Sequence, residues 1–210
     1  MSSNLLFWLA WLLPFAAFVL WYGGRGQPLS AAEVEAFVTE LKTRARGPLD
    51  AALIEEVRTL AAGDDGREFV MQNLARYREQ AAYPEDMRQF GSDARAADHR
   101  YGKAIIPHLL RYGNVPVFIA KRTGSFVEPA QGADAWHYVA MVRYRSRRDF
   151  LRFACAIGRN DIAVHKWAAL ESTHIFPVQP VLSLLMVRGT VAVLPLLLAL
   201  ALRAAWAWAA

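Results

Sequence analysis

The sequence predicts an α+β domain held between two membrane-spanning helices. Apolar stretches without acidic residues lie at both ends of the 210-residue chain. Between them, short segments alternate strand-like and helix-like apolar spacing, and their order is β-α-β-β-α-β. The expected domains are an N-terminal transmembrane anchor over 1–22, a linker and helical hairpin over 23–63, the α+β domain over 64–180 and a C-terminal transmembrane anchor over 181–210.

The first anchor is predicted from LLFWLAWLLPFAAFVLWY, residues 5–22, which are 18 residues without a charge. That length is near the minimum for a spanning helix. A cleaved signal peptide is the alternative. No Lys or Arg precedes the run, however, and no small-x-small cleavage site precedes Gly23, so an uncleaved anchor is favoured. The second span is expected to begin near Gly189, with residues 181–187 along the interface or extending the span.

The charge distribution predicts which side of the membrane holds the domain. All 19 acidic residues and 22 of the 24 Lys and Arg lie between the two anchors, so this portion carries only about +3. Basic residues are frequent soon after the first span, whereas the tails offer only Arg203. The positive-inside rule therefore favours a cytoplasmic domain, and the expected location is the plasma (inner) membrane of a bacterium.

The helical hairpin is predicted after a Gly- and Pro-bearing linker over 23–28. Ser30 and Glu33 have capping-box spacing, which opens a helix through about Arg44. A second helix is expected over 49–62 and ends at Gly63.

The α+β domain is predicted from its apolar periodicity and its capping residues. Strands are expected over 67–78, 115–122, 136–145 and 172–179. Helices are expected over 92–112, with Ser92 or Asp93 as the N-cap, from Ser146 through about 157, and over 161–170. This is the split βαβ or ferredoxin-like arrangement. Both main helices on one sheet face leave the other face uncovered, and a second copy packing there would make a homodimer.

Several segments together carry a family resemblance over about 67–178. They are FVMQNLARYR, HRYGKAIIPHLLRYGNVPVF, AMVRYRSRRDFLRF and HKWAALESTHIFPV. In their order they resemble the DUF1330-type branch of the dimeric α+β barrels. The resemblance implies two four-stranded sheets packed into a barrel, with a pocket between sheet and helices or inside the barrel. Members range from monooxygenases and haem enzymes to proteins of unknown activity, so whether this chain is an enzyme stays open.

Polar residues at strand positions are the candidate ligand-binding residues. An Asn, His, Arg and Tyr converging on an apolar cavity would orient a small aromatic or carbonyl compound. A hydrogen-bonded core or rim position is the alternative for each of them. No nucleotide-binding, serine-hydrolase or zinc-protease motif is present, so no catalytic residue is named. The candidates are Asn73, His137, Arg143, Tyr144 and His174.

The five histidines show no metal-binding spacing, so no metal is expected. No cofactor is evident, although one histidine could serve a haem as a single axial ligand. Cys155 is expected to be a small packing residue. Arg147, Arg148 and Arg152 lie away from the apolar face of their predicted helix. They are expected to be solvated and to lie near anionic lipid.

Two functions are therefore predicted. In the first, the domain binds, and in one version transforms, a small hydrophobic or aromatic molecule. In the second, the chain is a structural or accessory subunit that assembles with itself or with other membrane proteins. Nucleic-acid binding is not expected, because the domain is weakly basic and lacks a known module.

Overall fold

Seven α-helices and four strands make up the described part of the chain, which in this computed structural model is residues 3–24, 26–44, 51–127, 136–182 and 188–209. The helices are α1 (Ser3–Gly23), α2 (Ala31–Arg44), α3 (Ala51–Ala62), α4 (Ala94–Arg111), α5 (Arg147–Arg159), α6 (Ile162–Ala169) and α7 (Arg188–Ala209). The strands are β1 (Phe69–Tyr77), β2 (Val115–Lys121), β3 (Tyr138–Tyr144) and β4 (Leu170–Val178). A short 3-10 helix covers Glu85–Phe90.

The four strands form one antiparallel sheet in the order β2-β3-β1-β4. The α+β class predicted from the sequence is confirmed, and each predicted strand lies within one or two residues of an observed one. Successive residues of a strand point to opposite faces. On β1 the odd-numbered residues from Phe69 to Tyr77 therefore share the face that meets the helices, and the even-numbered residues share the other.

The helices of the domain begin where the sequence places their caps. The Asp93 carboxylate accepts the backbone N–H groups of Arg95 and Ala96 at 2.8 and 3.1 Å, which fixes the start of α4. Ser146 Oγ accepts the N–H of Asp149 at 3.1 Å and starts α5. The predicted 49–62 helix is observed as α3; its residues 49 and 50 lie outside the described chain.

The apolar core lies between the sheet and the helices. Its larger cluster comprises Phe69, Met71, Leu109, Val142, Tyr144 and Phe153. A second cluster of smaller residues packs β1 and the start of β4 against α4. Cys155 is fully buried on α5, as expected of a small packing residue.

The two terminal helices are long and apolar enough to cross a membrane, over Asn4–Gly23 and Val191–Trp208. Only 6% of each span is buried, so neither is a core helix of the domain. They contact each other: the rings of Phe7 and Trp206 lie 6.0 Å apart, and Arg203 Nη2 donates to Asn4 Oδ1 at 2.7 Å. Residues 183–187 of the predicted interfacial segment lie outside the described chain.

The end of α1 is fastened to the domain by a buried arginine. Arg143 on β3 is 0% exposed. Its guanidinium donates to the Tyr22 carbonyl, to the Gly113 carbonyl and to Glu68 Oε2, each at 2.8 Å. It also lies 3.8 Å from the centroid of the Tyr22 ring. Because the last carbonyls of a helix lack partners within it, this arginine acts as a C-terminal cap for α1.

A second arginine repeats this arrangement one position earlier on the helix. Arg145 Nη1 donates to the Trp21 carbonyl at 2.6 Å, and its Nε donates to Asp149 at 2.7 Å. Trp21 Nε1 in turn donates to the carbonyl of Leu110 on α4 at 3.0 Å. Gly113 has a φ of +69°, and a Cβ there would lie 2.6 Å from the Trp21 carbonyl oxygen. The close approach of α1 thus requires a glycine at this position.

The next two arginines hold the linker after α1 and the turn after α3. Arg148 donates to the carbonyls of Gln27 and Pro28 at 2.8 and 2.9 Å and pairs with Glu33 at 2.9 Å. Together with the Ser30 backbone N–H, it lowers the pKa of Glu33 to about 2. Arg147 pairs with Asp64 and Asp65 beyond α3 at 3.5 and 3.2 Å.

Removal of the Arg143 guanidinium is expected to destabilise the junction severely. Arg143→Met leaves Glu68 and two backbone carbonyls without this donor, at a cost of about 3–5 kcal/mol in the free energy of unfolding. Chemical unfolding of the full chain in mild detergent, followed by circular dichroism, measures the loss. Arg152→Met is the control: its side chain is 48% exposed and pairs with Asp149 at 3.2 Å, so less than about 1 kcal/mol is expected. Equal losses in the two variants would contradict this role.

Candidate functional site

A cavity of about 890 Å³ lies between the sheet and the helices. Its floor is the helix-facing side of β1, β2 and β3, and its walls come from α4, α5 and α6, with α3 at the rim. Small residues such as Gly102, Ala140 and Ala154 leave this space open where larger side chains would fill it. The lining is predominantly apolar, with a smaller share of polar groups.

The polar groups surround Asp98, on the first turns of α4. The Tyr77 hydroxyl donates to Asp98 Oδ2 at 2.8 Å, and the Tyr138 hydroxyl donates to Oδ1 at 3.1 Å. Burial and the negative charge of Asp98 raise the pKa of both hydroxyls, so they stay protonated and remain donors. We call Asn73, Tyr77, Asp98, Tyr138 and Lys166 the Asp98 cluster.

Lys166 is the cationic member of the Asp98 cluster. Its Nζ donates to Asn73 Oδ1 at 3.3 Å and lies 5.5 Å from the Tyr101 ring centroid and 5.7 Å from that of Trp167. Burial among these groups lowers the pKa of Lys166 to about 8, and the charge of Asp98 opposes that shift only in part. At neutral pH an appreciable fraction of the side chain is therefore an uncharged amine.

Aromatic side chains close the other end of the cavity. Tyr144 stacks on Phe69 with ring centroids 5.5 Å apart and meets the edge of Phe150 at 4.9 Å. Burial raises the pKa of the Tyr144 hydroxyl. This end offers flat, apolar surfaces, whereas the Asp98 cluster offers hydrogen-bonding groups.

The structure brings together two of the five predicted ligand-binding residues. Asn73 and Tyr144 line the cavity, as the sequence interpretation expects of pocket residues. Arg143 and His174 lie on the opposite face of the sheet, because β-strand alternation places them with Val70 and Leu74. Arg143 is occupied at the α1 junction, and His174 is exposed beside Phe176, 4.8 Å away.

His137 lies just before β3, outside the cavity. Its Nδ1 accepts the backbone N–H of Tyr77 at 2.9 Å, and its ring stacks on that of Tyr77 at 5.6 Å. It lines a smaller surface depression of about 300 Å³ together with Arg78, Glu79 and Asp93. His137 therefore helps to fix the position of Tyr77 from outside the cavity.

The three arginines predicted to face lipid have different surroundings. Arg147 and Arg148 are only 16% and 15% exposed, because carboxylates of the domain and of the linker pair with them. The expectation that they are solvated is wrong for these two. Arg152 is half-exposed and keeps one side toward solvent.

Sequence reasoning missed Lys166 and Asp98, the two charged members of the Asp98 cluster. A faint signal for Lys166 was available, because it is a lone charge in the short apolar helix IAVHKWAA. Asp98 had no such signal, since α4 carries many charges and only the tertiary fold shows which of them faces the sheet. Among the described residues, no group of three His, Cys, Asp or Glu side chains could hold a metal ion.

Comparison with known proteins identifies a fold but no family. No protein-family model matches the chain, and no curated protein does. The crystal structure of RPA0582 from Rhodopseudomonas palustris, a protein of unknown function, is similar with a TM-score of 0.54 and 22% sequence identity. The match covers 64% of this chain and 96% of that one.

The structure of methylated RPA0582 is similar to the same degree, with a TM-score of 0.53, 22% identity, and 64% and 93% of the two chains covered. At this identity the similarity concerns the fold alone. It agrees with a small four-stranded antiparallel sheet covered by helices. The DUF1330 resemblance stays a prediction.

Replacement of Lys166 by Met is expected to change how stability depends on pH. The Lys166 pKa is about 8 in the folded chain and 10.5 in its ordinary state. Between these values the unfolded chain binds more protons, so this group makes the free energy of unfolding rise with pH. Lys166 therefore lowers the free energy of unfolding by its full amount below pH 8, and no longer lowers it above about pH 10.5. Lys166→Met should therefore be more stable than the wild type at pH 7, by a margin that shrinks toward pH 10.

Unfolding of the full chain in mild detergent at pH 7, 8, 9 and 10 measures this margin. Lys103→Met is the matched control, since Lys103 is exposed on α4 and does not line the cavity; the change of the difference with pH should be larger for Lys166→Met than for this control. A constant difference for Lys166→Met would show that the Lys166 amine is not desolvated by the fold.

Proposed function

We propose that this chain is a membrane-anchored protein whose α+β domain binds a small hydrophobic or aromatic molecule in the cavity between sheet and helices. The cavity itself is the observation that carries the proposal. Its volume of about 890 Å³ lies within the range of ligand sites, which are roughly 300–1,000 Å³, mostly apolar and supplied with a few placed polar groups.

The interior of the cavity favours a ligand with an apolar body and one polar group. Aromatic rings from Tyr101, Tyr144 and Phe150 offer flat surfaces for an aromatic or alicyclic skeleton. The Asp98 cluster concentrates the hydrogen-bonding groups on one side. A ligand of this kind also partitions into lipid, which is consistent with a domain attached to a membrane.

The element order and strand order support a ferredoxin-like topology for this domain. The β-α-β-β-α-β order with sheet order β2-β3-β1-β4 is what the split βαβ arrangement requires, with α6 as an addition before β4. The positive-inside bias supports placing the domain in the cytoplasm, at the plasma membrane of a bacterium. Half-exposed Arg152 is the remaining candidate for contact with anionic lipid.

Binding is tested on the full chain in lipid nanodiscs with 2-naphthylmethanol, an aromatic alcohol without a carbonyl group. Equilibrium dialysis against empty nanodiscs separates protein binding from partition into lipid. One molecule per chain is expected. Ala154→Trp fills the cavity from α5 and should weaken binding by about tenfold or more, which corresponds to about 1.4 kcal/mol.

Ala36→Trp adds the same indole at an exposed position of α2 and should bind as the wild type does. If Ala154→Trp fails to fold, Ala140→Leu on β3 narrows the same cavity by a smaller amount. Equal binding by the wild type and the filled variants would overturn the proposal.

The alternative function, assembly as a structural subunit, is favoured by the uncovered face of the sheet. Apolar side chains occupy this face on three strands: Leu74 on β1, Phe118 on β2, and Val139 and Met141 on β3. Phe118 is 49% exposed. A twofold-related copy of the same face would cover these residues and form a homodimer. The exposed sides of α1 and α7 offer further surface to lipid or to other membrane proteins.

The dimer is tested by the mass of the purified full chain in detergent, measured by light scattering with the detergent contribution subtracted. Twice the chain mass is expected for the wild type. Phe118→Glu should give a single chain, because it buries a charge in the interface. Phe126→Glu, at a fully exposed residue outside the sheet, is the control and should remain dimeric. A monomeric wild type would contradict the dimer.

A further inference from the structure

The amine of Lys166 is placed differently from a surface lysine. It lines the cavity, its Nζ is held at 3.3 Å from an amide oxygen of Asn73, and aromatic rings flank it. Asp98 directs its two oxygens to the hydroxyls of Tyr77 and Tyr138 instead of to Nζ. Among the described residues, no carboxylate forms an ion pair with this lysine. Such an environment favours the neutral, nucleophilic form of an amine.

The chain has four lysines, and they differ in their exposure to solvent. Lys42 and Lys103 are exposed on helices, and Lys121 is exposed at the end of β2 with part of its side chain at the cavity rim. Lys166 is the only one of the four that is not exposed. Any chemistry that needs both an amine and an apolar surface would therefore select Lys166.

We infer that Lys166 captures the aldehyde or ketone group of an apolar ligand as an imine on Nζ, inside the cavity between sheet and helices. This inference rests on the proposed function, because the apolar part of the ligand must first occupy the cavity. It goes further by naming the reactive group of the ligand, a carbonyl, and the atom that receives it.

The step balances without any further reactant. The lone pair of the neutral Nζ attacks the carbonyl carbon and forms a C–N bond as the C=O π bond breaks, and one amine proton passes to the oxygen to give a carbinolamine. The carbinolamine then loses its hydroxyl group and the remaining N–H proton as one water molecule, and the C=N bond forms. Neither oxidation nor reduction occurs. Hydrolysis reverses the step, so the imine is favoured to the extent that the bound apolar ligand excludes water from Nζ.

The amine state gives the expected selectivity. With a pKa of about 8, roughly a quarter of Lys166 is neutral at pH 7.5. An ordinary lysine is neutral only about once in a thousand molecules at this pH. A lower pKa also reduces intrinsic nucleophilicity, so the net advantage in rate is smaller than this ratio, at roughly tenfold or more.

The test uses 2-naphthaldehyde with the full chain in nanodiscs at pH 7.5. Cyanoborohydride is added to reduce any imine to a stable secondary amine. Proteolysis and mass spectrometry then give the fraction modified at each lysine over time. Lys166 should be modified roughly tenfold faster than Lys103, and Ala154→Trp should slow the reaction at Lys166 while leaving Lys103 unchanged.

Lys166→Arg keeps the charge and removes the primary amine. It should lose the cavity adduct, while binding of 2-naphthylmethanol, the alcohol of the same skeleton, is measured on the wild-type chain. If the alcohol binds and Lys166 reacts no faster than Lys103, the inference is wrong and the proposed function stands. If the cavity takes up neither the alcohol nor the aldehyde, both are wrong.

Discussion

The guanidinium of Arg143 is the interaction on which the arrangement of the chain depends. A fully buried cation is tolerated only where acceptors surround it. Strand β3 supplies the arginine, and three other parts of the sequence supply its acceptors: Glu68 precedes β1, Gly113 follows α4, and Tyr22 lies at the end of α1. Because a lone guanidinium in this position would be strongly destabilising, the four segments are stable together and not separately. The junction between the apolar helix and the sheet is therefore part of the core.

The two faces of the sheet have different roles: one contacts the end of α1, and the other faces the cavity. One end of the outer face, at Val70 and Arg143, is covered by the end of α1 and its linker. The helix-facing side lies on the other side of the sheet, and small residues there leave room for the cavity. The arginines of the segment that begins at Arg143 hold segments of the chain together by binding their carboxylates and carbonyls. Lys166, the cationic member of the Asp98 cluster, comes from a different helix, α6.

Local patterns were sufficient to predict the elements, because capping residues and apolar spacing act within a few positions of the chain. Asp93 and Ser146 mark helix starts that the structure reproduces. Alternation likewise grouped Asn73 with Met71 and Tyr144 with Tyr138, and the members of each pair line the cavity together. It did not say what covers each face, so Arg143 was assigned to a pocket when it meets a distant helix end. Lys166 and Asp98 were missed because their contact with the sheet depends on how α4 and α6 pack.

The capped end of α1 also has a consequence for how the domain is tethered. A flexible linker of ten residues has an r.m.s. end-to-end distance of about 16–19 Å, so a domain attached by it would have no fixed position relative to its anchor. Here Arg143 and Arg145 bind the last turn of the helix, so the domain is connected rigidly to the helix. Tilting the helix would tilt the cavity by the same angle. Under the proposed function, a ligand that leaves the bilayer would meet one fixed orientation of the domain instead of an average over many.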